Sequence, residues 1–326
     1  MRPSEDRLDE LTSRPYQPGD ENAIIGLYER ALQRSLDANV WQWRYLDRPF
    51  GDPWIQLMWC EDRLVGHYAL VPSPARLRGA DVSCAMSLDT LTDADFRQRG
   101  IFARLAESAF DHARASGVMH VRGFPNANSV KGFVARLGWT LSGALPMLAT
   151  VAPGAVAGDL AVTDVTVFDA EYDDLARRLA PQYPTISQRG SAYLRWRFSA
   201  KSGRMYNVVS VRSRDRLEGY ICFKIHHDDS YGVVGDIVEL LCDRDEGVFR
   251  SLVAEAEGRL REMGAARVNL WLNLSDPMTA WAMRCGYMIT SDLTNVAFRS
   301  LAPDASENPA TLWSEWFVQM SDSDVF

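Results

Sequence analysis

Between Ser87 and Gly117 the chain reads SLDTLTDADFRQRGIFARLAESAFDHARASG, and the residues in it that could do chemistry are Arg97, Arg99 and the single Gly100. Before them stands a short apolar-leaning run (Met86, Leu88, Leu91), and after them Ile101, Leu105 and Phe110 recur at helical spacing. A strand that feeds a helix through a glycine leaves the amide N–H groups of the first turn converging on one point, where the helix dipole adds positive potential. Such a point holds a phosphate. The nucleoside-triphosphate loop needs Gly-Lys-Ser/Thr and the dinucleotide fingerprint needs three glycines, and this stretch has neither.

Thr92 to Phe102 resembles the pyrophosphate loop of the GCN5-related N-acetyltransferase (GNAT) superfamily, whose pattern is Arg/Gln-x-x-Gly-x-Gly/Ala. Phe102 departs from it at the small position, and its bulk is expected to crowd the helix against its neighbour. The same order continues downstream: Val118 to Phe124 reads as a strand, Pro125-Asn126-Ala127-Asn128-Ser129 opens a helix, and Leu137-Gly138-Trp139 closes it. Residues 84–140 match the superfamily in order and spacing.

The resemblance implies a division of labour. Main-chain N–H groups at Arg97, Gln98, Arg99, Gly100, Ile101 and Phe102, with Leu91, Thr92, Asn126 and Ser129 beside them, would hold acetyl-CoA or another acyl-CoA. The acyl group would pass directly to an amine, through positioning and carbonyl polarisation and without a covalent intermediate. A base must take a proton from the attacking ammonium. Asp89, near the carboxyl end of the strand, is the first candidate, and His67 in Leu64-Val65-Gly66-His67-Tyr68 the second, because imidazole titrates near neutrality. As structural residues, Asp89 would cap a turn and His67 would be a satisfied core histidine. The tyrosine that protonates the leaving thiolate in many members is replaced by Val134, so either a water protonates the sulfur or the donor comes from elsewhere, and a thiol's modest pKa makes a dedicated acid dispensable.

The elements around the loop form a longer pattern. Asp20 onward reads as a helix (Ile24, Leu27, Tyr28, Leu32), VWQWRYLDRPFGDPW is dense in aromatics, and Leu57–Cys60 and Leu64–Val71 read as strands. Trp43-Arg44 recurs as Trp196-Arg197, and Arg63-Leu64-x-Gly66 as Arg216-Leu217-x-Gly219, 153 residues on in both cases. Arg97-x-x-Gly100-Ile101-Phe102 recurs as Arg244-x-x-Gly247-Val248-Phe249, 147 residues on, as do Gly117 and Asn126 at Gly264 and Asn273. This predicts a tandem duplication with a mixed α/β fold: two acyltransferase-like domains, each a curved sheet of about six strands flanked by helices. Residues 1–150 would be the acyl-CoA-binding, catalytic domain, 151–162 a linker, and 163–326 a degenerate copy ending in a strand with an acidic end, Asp322 and Asp324. Trp43, Trp196, Arg197 and Tyr231 are the candidate acceptor contacts, with burial as the competing role of the aromatics.

Composition bounds the partners. A net charge of -8 over 326 residues lacks the basic face that nucleic acid requires. The polar N-terminus is no secretory signal, and no apolar run is long enough to span a bilayer, so a cytoplasmic enzyme without membrane partners is expected. The five cysteines have no Cys-x-x-Cys spacing, which points to reduced thiols and no local zinc site. His226-His227-Asp228-Asp229 reads as a solvated turn rather than a metal cluster, since strand neighbours point to opposite faces. No metal is expected.

The reading is therefore an acyl-CoA-dependent N-acyltransferase acting on a primary amine of a small polar acceptor. Its Trp-Arg-Tyr, Gly-Ile-Phe and Phe-Pro-Asn-x-x-Ser elements resemble those of tandem proteins that act on amino sugars, including nucleotide-linked ones. An aminoglycoside, a polyamine or an antibiotic precursor stays open as acceptor. Two other classes are a non-catalytic acyl-CoA-binding protein and an aminoacyl-tRNA-dependent transferase, the latter disfavoured by the acidic charge.

Overall fold

The computed structural model describes residues 11–127, 129–154, 157–214, 216–302 and 315–323. In chain order its elements are β1 (Leu11–Pro15), α1 (Glu21–Leu32), α2 (Ala38–Tyr45), β2 (Trp54–Cys60), β3 (Arg63–Pro72), β4 (Ala75–Leu77), β5 (Ala80–Val82), β6 (Cys84–Thr92), α3 (Ile101–Ala115), β7 (His120–Gly123), α4 (Val130–Leu137) and β8 (Thr140–Thr150). There follow β9 (Val162–Asp164), α5 (Ala170–Leu179), β10 (Thr185–Ser187), α6 (Ser191–Arg197), β11 (Asn207–Ser213), β12 (Arg216–Asp228), β13 (Gly232–Cys242), α7 (Glu246–Glu262), β14 (Arg267–Trp271), α8 (Pro277–Arg284), β15 (Met288–Ser300) and β16 (Trp316–Phe317).

The chain divides into two compact units. The first takes its described residues from Met1–Pro74, Val82–Leu141 and Ala297–Ala310, and the second from Ala75–Asp81, Ser142–Val296 and Thr311–Phe326. In the first unit the strands run β1-β2-β3-β6-β7-β15, antiparallel except for β6 and β7. The end of β15, Ala297–Ser300, pairs with Gly123–His120, so the last strand of this sheet comes from far downstream.

Both faces of that sheet are covered, as the period-two alternation of β3 requires. Tyr68 and Leu70 face a core made with Leu105, Ala109 and Phe110 of α3 and Phe133 and Leu137 of α4. Ala69 and Val71 face the other way, into a core made with Ile24 and Leu27 of α1 and Trp41 and Tyr45 of α2. The apolar stripe read along residues 101–110 is this buried side of α3.

In the second unit β8-β14-β13-β12-β11-β9 form the sheet, with β13 and β14 parallel. A smaller sheet, β16-β10-β4-β5, includes the 75–81 hairpin. The two units share an element order: a strand, two helices, three antiparallel strands, a helix, a parallel strand and a helix. The mixed α/β architecture with six-stranded sheets is thus the one expected.

The acidic tail departs from expectation. Asp322 is buried, and Arg189, also buried, donates to it through Nη2 and to Glu239 through Nε at 2.7 Å. Burial raises the pKa of Glu239, against the opposing pull of Arg189, because Asp322 places a second carboxylate on the same guanidinium. Asp324 lies outside the described residues. His226 is likewise in strand β12 rather than in a turn, with Nδ1 2.9 Å from Oδ2 of the buried Asp236. Among the described residues no three His, Cys, Asp or Glu side chains come together as for a metal. All five cysteines are free and buried, and no described helix is long and apolar enough to cross a membrane.

Candidate active site

The site begins where two strands part. β6 pairs with β7 over Cys84–Met86 against His120–Arg122, and beyond Met86 the two strands have no paired residues. On its other side β6 stays bonded to β3, with a shift in register: Leu91 stands opposite His67 and Leu88 opposite Ala69. The extra residue sits at Asp89, whose φ of 40° is left-handed. From the bulge to Thr92 the edge of β6 offers backbone groups to a ligand.

At the end of that edge is the anion loop. Gly100 caps α3 with φ 75° and contributes no side-chain hydrogen bond, so the first N–H groups of the helix lack a partner within it. A residue with a β-carbon would be strained at this φ. Gln98 is also left-handed, at φ 64°, which folds successive amides toward one side. Arg97 and Gln98 are exposed, and Arg99 is half-buried against Phe96. Ile101 puts its side chain into the core and leaves its amide at the helix end.

A cavity of about 260 Å³ joins the strand edge to the loop. Its walls are Thr90, Leu91 and Thr92 of β6, Arg97, Phe102 of α3, Ser129, Gly132 and Phe133 at the start of α4, and Ala31 and Leu32 at the end of α1. Phe102 does not crowd its neighbours, because α4 presents a glycine to it: a β-carbon on Gly132 would lie 3.3 Å from the Phe102 ring. The ring also packs beside Phe133 and Tyr68, with centroids 5.4 and 6.1 Å away. In the turn before α4 the Asn126 Oδ1 accepts from the N–H of Ser129, the helix N-cap, at 3.1 Å and from its hydroxyl at 3.2 Å.

Behind the bulge lies a charged cluster. Asp89 accepts from Arg44 Nη1 and from the Tyr45 hydroxyl, each at 2.7 Å. Burial would raise its pKa, but Arg44 and Tyr45 together hold the carboxyl below its ordinary value. The Asp89 carbonyl accepts from His67 Nδ1 at 2.7 Å, which fixes the proton on that nitrogen and the lone pair on Nε2. Nε2 is buried without a hydrogen-bond partner, and burial lowers the imidazole pKa despite the carbonyl. The ring is therefore neutral at pH 7.

Of the residues expected to bind the cofactor, Leu91, Thr92, Arg97, Phe102 and Ser129 line the cavity, and Gln98, Arg99, Gly100 and Ile101 form its adjoining loop. Trp43 is buried in α2 and lines no part of it. In the second unit Trp196 is buried, and Arg197 is buried with Nε donating to the Ser321 carbonyl at 3.2 Å and Nη1 to the Tyr206 hydroxyl at 2.8 Å. Tyr231 is 51% exposed, with Arg267 4.4 Å over its ring. Ala31, Leu32, Thr90, Gly132 and Phe133 escaped the sequence reading. Gly132, a lone glycine within a helical run, was the one visible signal among them.

A family model described as an acetyltransferase (GNAT) domain matches residues 12–142, the span that holds the bulge, the loop and the cavity. Over residues 12–142 the chain is thus similar to a GNAT acetyltransferase domain. The domain is that of an acyl-CoA-dependent N-acyltransferase. A search of curated proteins gave no match. Among solved structures, a GCN5-related N-acetyltransferase from Anabaena variabilis has a TM-score of 0.72 at 12% identity, over 90% of this chain and 73% of its own. Saccharomyces cerevisiae N-myristoyltransferase with bound myristoyl-CoA has a TM-score of 0.66 at 9% identity, over 96% and 90%. The GCN5-related glucosamine N-acetyltransferase region of a fungal multi-domain GH3 β-N-acetylglucosaminidase has a TM-score of 0.61 at 12% identity, over 89% of this chain and 38% of that one. At such identities these likenesses concern the fold.

Proposed function

We propose that the GNAT domain transfers an acetyl or similar acyl group from acyl-CoA to a primary amine of a small polar acceptor, in a ternary complex. The observation that carries this reading is the uncapped start of α3 at Gly100, continuous through the cavity with the unpaired edge of β6. The loop amides and Arg97 would hold the pyrophosphate, and the pantetheine amides would pair with Thr90–Thr92. The thioester would then lie where β6 leaves β7.

In the transfer the amine lone pair attacks the thioester carbonyl, the C–N bond forms, the C–S bond breaks and the thiolate takes a proton. The acceptor ammonium must first lose one. His67 is the better-placed acceptor of that proton, through a water, because its ring is neutral and Nε2 has no partner. Asp89, held ionised by Arg44 and Tyr45, orients the ring through its carbonyl. Val134 stands where a tyrosine would serve as acid, so water protonates the thiolate.

The shared element order of the units, with the recurring Trp-Arg and Arg-Leu-x-Gly sequences, supports a tandem duplication joined through residues 151–162. An amino sugar is the acceptor class we favour, supported by the sequence elements and by the glucosamine N-acetyltransferase among the fold relatives. The test is thiol release from acetyl-CoA over a panel of amino sugars, aminoglycosides and polyamines. Gly100→Glu should abolish release, by blocking backbone approach and repelling phosphate. Binding of acetyl-CoA with no release for any amine would mark a binding protein instead.

A further inference from the structure

The second unit holds a larger cavity, of about 450 Å³, that shares no residue with the one at the loop before α3. On its strand side Arg76 of β4 stands directly opposite Ile186 of β10, so the two side chains lie together on one face. On its helix side Asp173, Ala176 and Ala180, three and four residues apart, line one side of α5 and the turn after it. Leu241 of β13, with Ile186 and the two alanines, gives the cavity an apolar wall.

Charge is left uncompensated there in two places. The Arg76 side chain makes no hydrogen bond among the described residues, and its one carboxylate neighbour, Asp81, is 3.6 Å away and 72% exposed. Nε is the one guanidinium nitrogen that burial closes off, and the side chain as a whole is 34% exposed. Asp173 accepts from the Ser191 N–H at 2.7 Å and the Ser191 hydroxyl at 2.8 Å, both neutral, and no cation pairs with it among the described residues. The other arginines of the lining are engaged: Arg177 with Asp174 at 2.6 Å, and Arg189 with Glu239, Asp322 and the Ser187 carbonyl. Arg76 and Asp173 form no ion pair with each other. Opposite charges thus line one cavity without meeting. A purely anionic guest would be repelled by Asp173, and a purely cationic one by Arg76.

We propose that this cavity binds a free α-amino acid with an aliphatic side chain. Its carboxylate lies on Arg76, its ammonium on Asp173 and its side chain against the apolar wall. The guanidinium fork matches carboxylate oxygens, and Asp173 has lone pairs beyond the two that Ser191 uses. The volume is that of a small-molecule site, apolar with a few polar groups that fix orientation. Because the two cavities share no residue, this inference does not depend on the acyl-CoA reading.

The experiment is calorimetric titration of the full chain with L-leucine, 4-methylpentanoate, 3-methylbutylamine and glycine. Leucine should bind most tightly. The two analogues that lack one charge should bind about 10-fold or more weaker, as for loss of a hydrogen bond to a charged group. Glycine should be weaker by a similar factor of about 10, since it buries no side chain. Arg76→Gln should weaken leucine about 10-fold and leave 3-methylbutylamine unchanged, because that amine has no carboxylate to lose. The melting temperature of this variant should match the parent's, since the Arg76 side chain has no hydrogen bond to break. No binding of leucine by the parent, equal binding of leucine and either singly charged analogue, or undiminished leucine affinity in Arg76→Gln would each overturn the proposal. The ligand comparisons on the parent decide it without any variant.

Discussion

The ring of Phe102 lies over Gly132, so close that a β-carbon there would come within 3.3 Å of it. A large residue at the small position of the phosphate loop is thus matched by a missing side chain on the facing helix, and both line the cavity. Gly132→Ala should push the ring into the space proposed for the cofactor. Because alanine also gains about 0.5–1 kcal/mol of helix propensity, the melting temperature should move little. Acyl-CoA affinity should fall about 5-fold, the equivalent of roughly 1 kcal/mol, and Phe102→Leu in the same chain should restore it. Unchanged affinity in Gly132→Ala would show that the ring does not border the bound cofactor.

His67 should govern the acid side of the pH–rate profile. The rate needs neutral imidazole, so it should fall as pH drops through a pKa below the ordinary 6.5 or so. His67→Gln should lower kcat by about 10²-fold or more and remove that limb, as loss of a general base does. Asp89→Asn should keep the limb. The reverse pattern would move the proton transfer to the carboxylate.

The same histidine predicts a stability trend. Its folded pKa lies below the unfolded one, so the unfolded chain binds the proton that the buried ring refuses, and stability falls as pH drops below roughly 6.5. Above that value its contribution is complete. Thermal melts between pH 7.5 and 5.5 should show the decline in the parent and a smaller one in His67→Gln.

How far the sequence could be read depended on the range of each interaction. The 84–140 run was legible because helix, loop and strand signals there are local: a glycine before an apolar stripe, an Asn-Ser cap, a Gly-Trp stop. The pairing of Ala297–Ser300 with β7 was not, since nothing near residue 300 names a partner 174 to 180 residues upstream. The burial of Asp322 was hidden for the same reason, as Arg189, which binds both it and Glu239, carries no local mark. His67 and Asp89 were found as candidates, but the carbonyl that joins them depends on a bulge that only the register reveals.

Arg189 should be far more important to stability than either of its acids alone. With Glu239 and Asp322 both buried on it, Arg189→Met leaves two uncompensated carboxylates, and removing one member of a buried pair costs about 3–5 kcal/mol. Glu239→Gln should cost much less, because that carboxyl already has a raised pKa and glutamine can keep part of the hydrogen bonding. Denaturant melts of the two variants give the comparison; equal losses would contradict it.

Asp245 bears on how many cofactor molecules one chain can hold. At α7, which stands in the element order of the second unit where α3 stands in that of the first, the Asp245 side chain accepts from Gly247 N–H at 2.7 Å and Val248 N–H at 3.1 Å, so a carboxylate already occupies the place where a phosphate would sit. The corresponding cap in the first unit is Gly100, which leaves those amides open. Asp243 and Glu246 add negative charge around the second loop, and Asp243 is bound by Arg178 at 2.6 Å. The second loop is therefore closed by its own side chain as well as by charge. Calorimetry with acetyl-CoA should give a stoichiometry near one per chain, and Gly100→Glu should remove that binding with no residual second site. Two equivalent sites, or binding that survives Gly100→Glu, would refute the asymmetry.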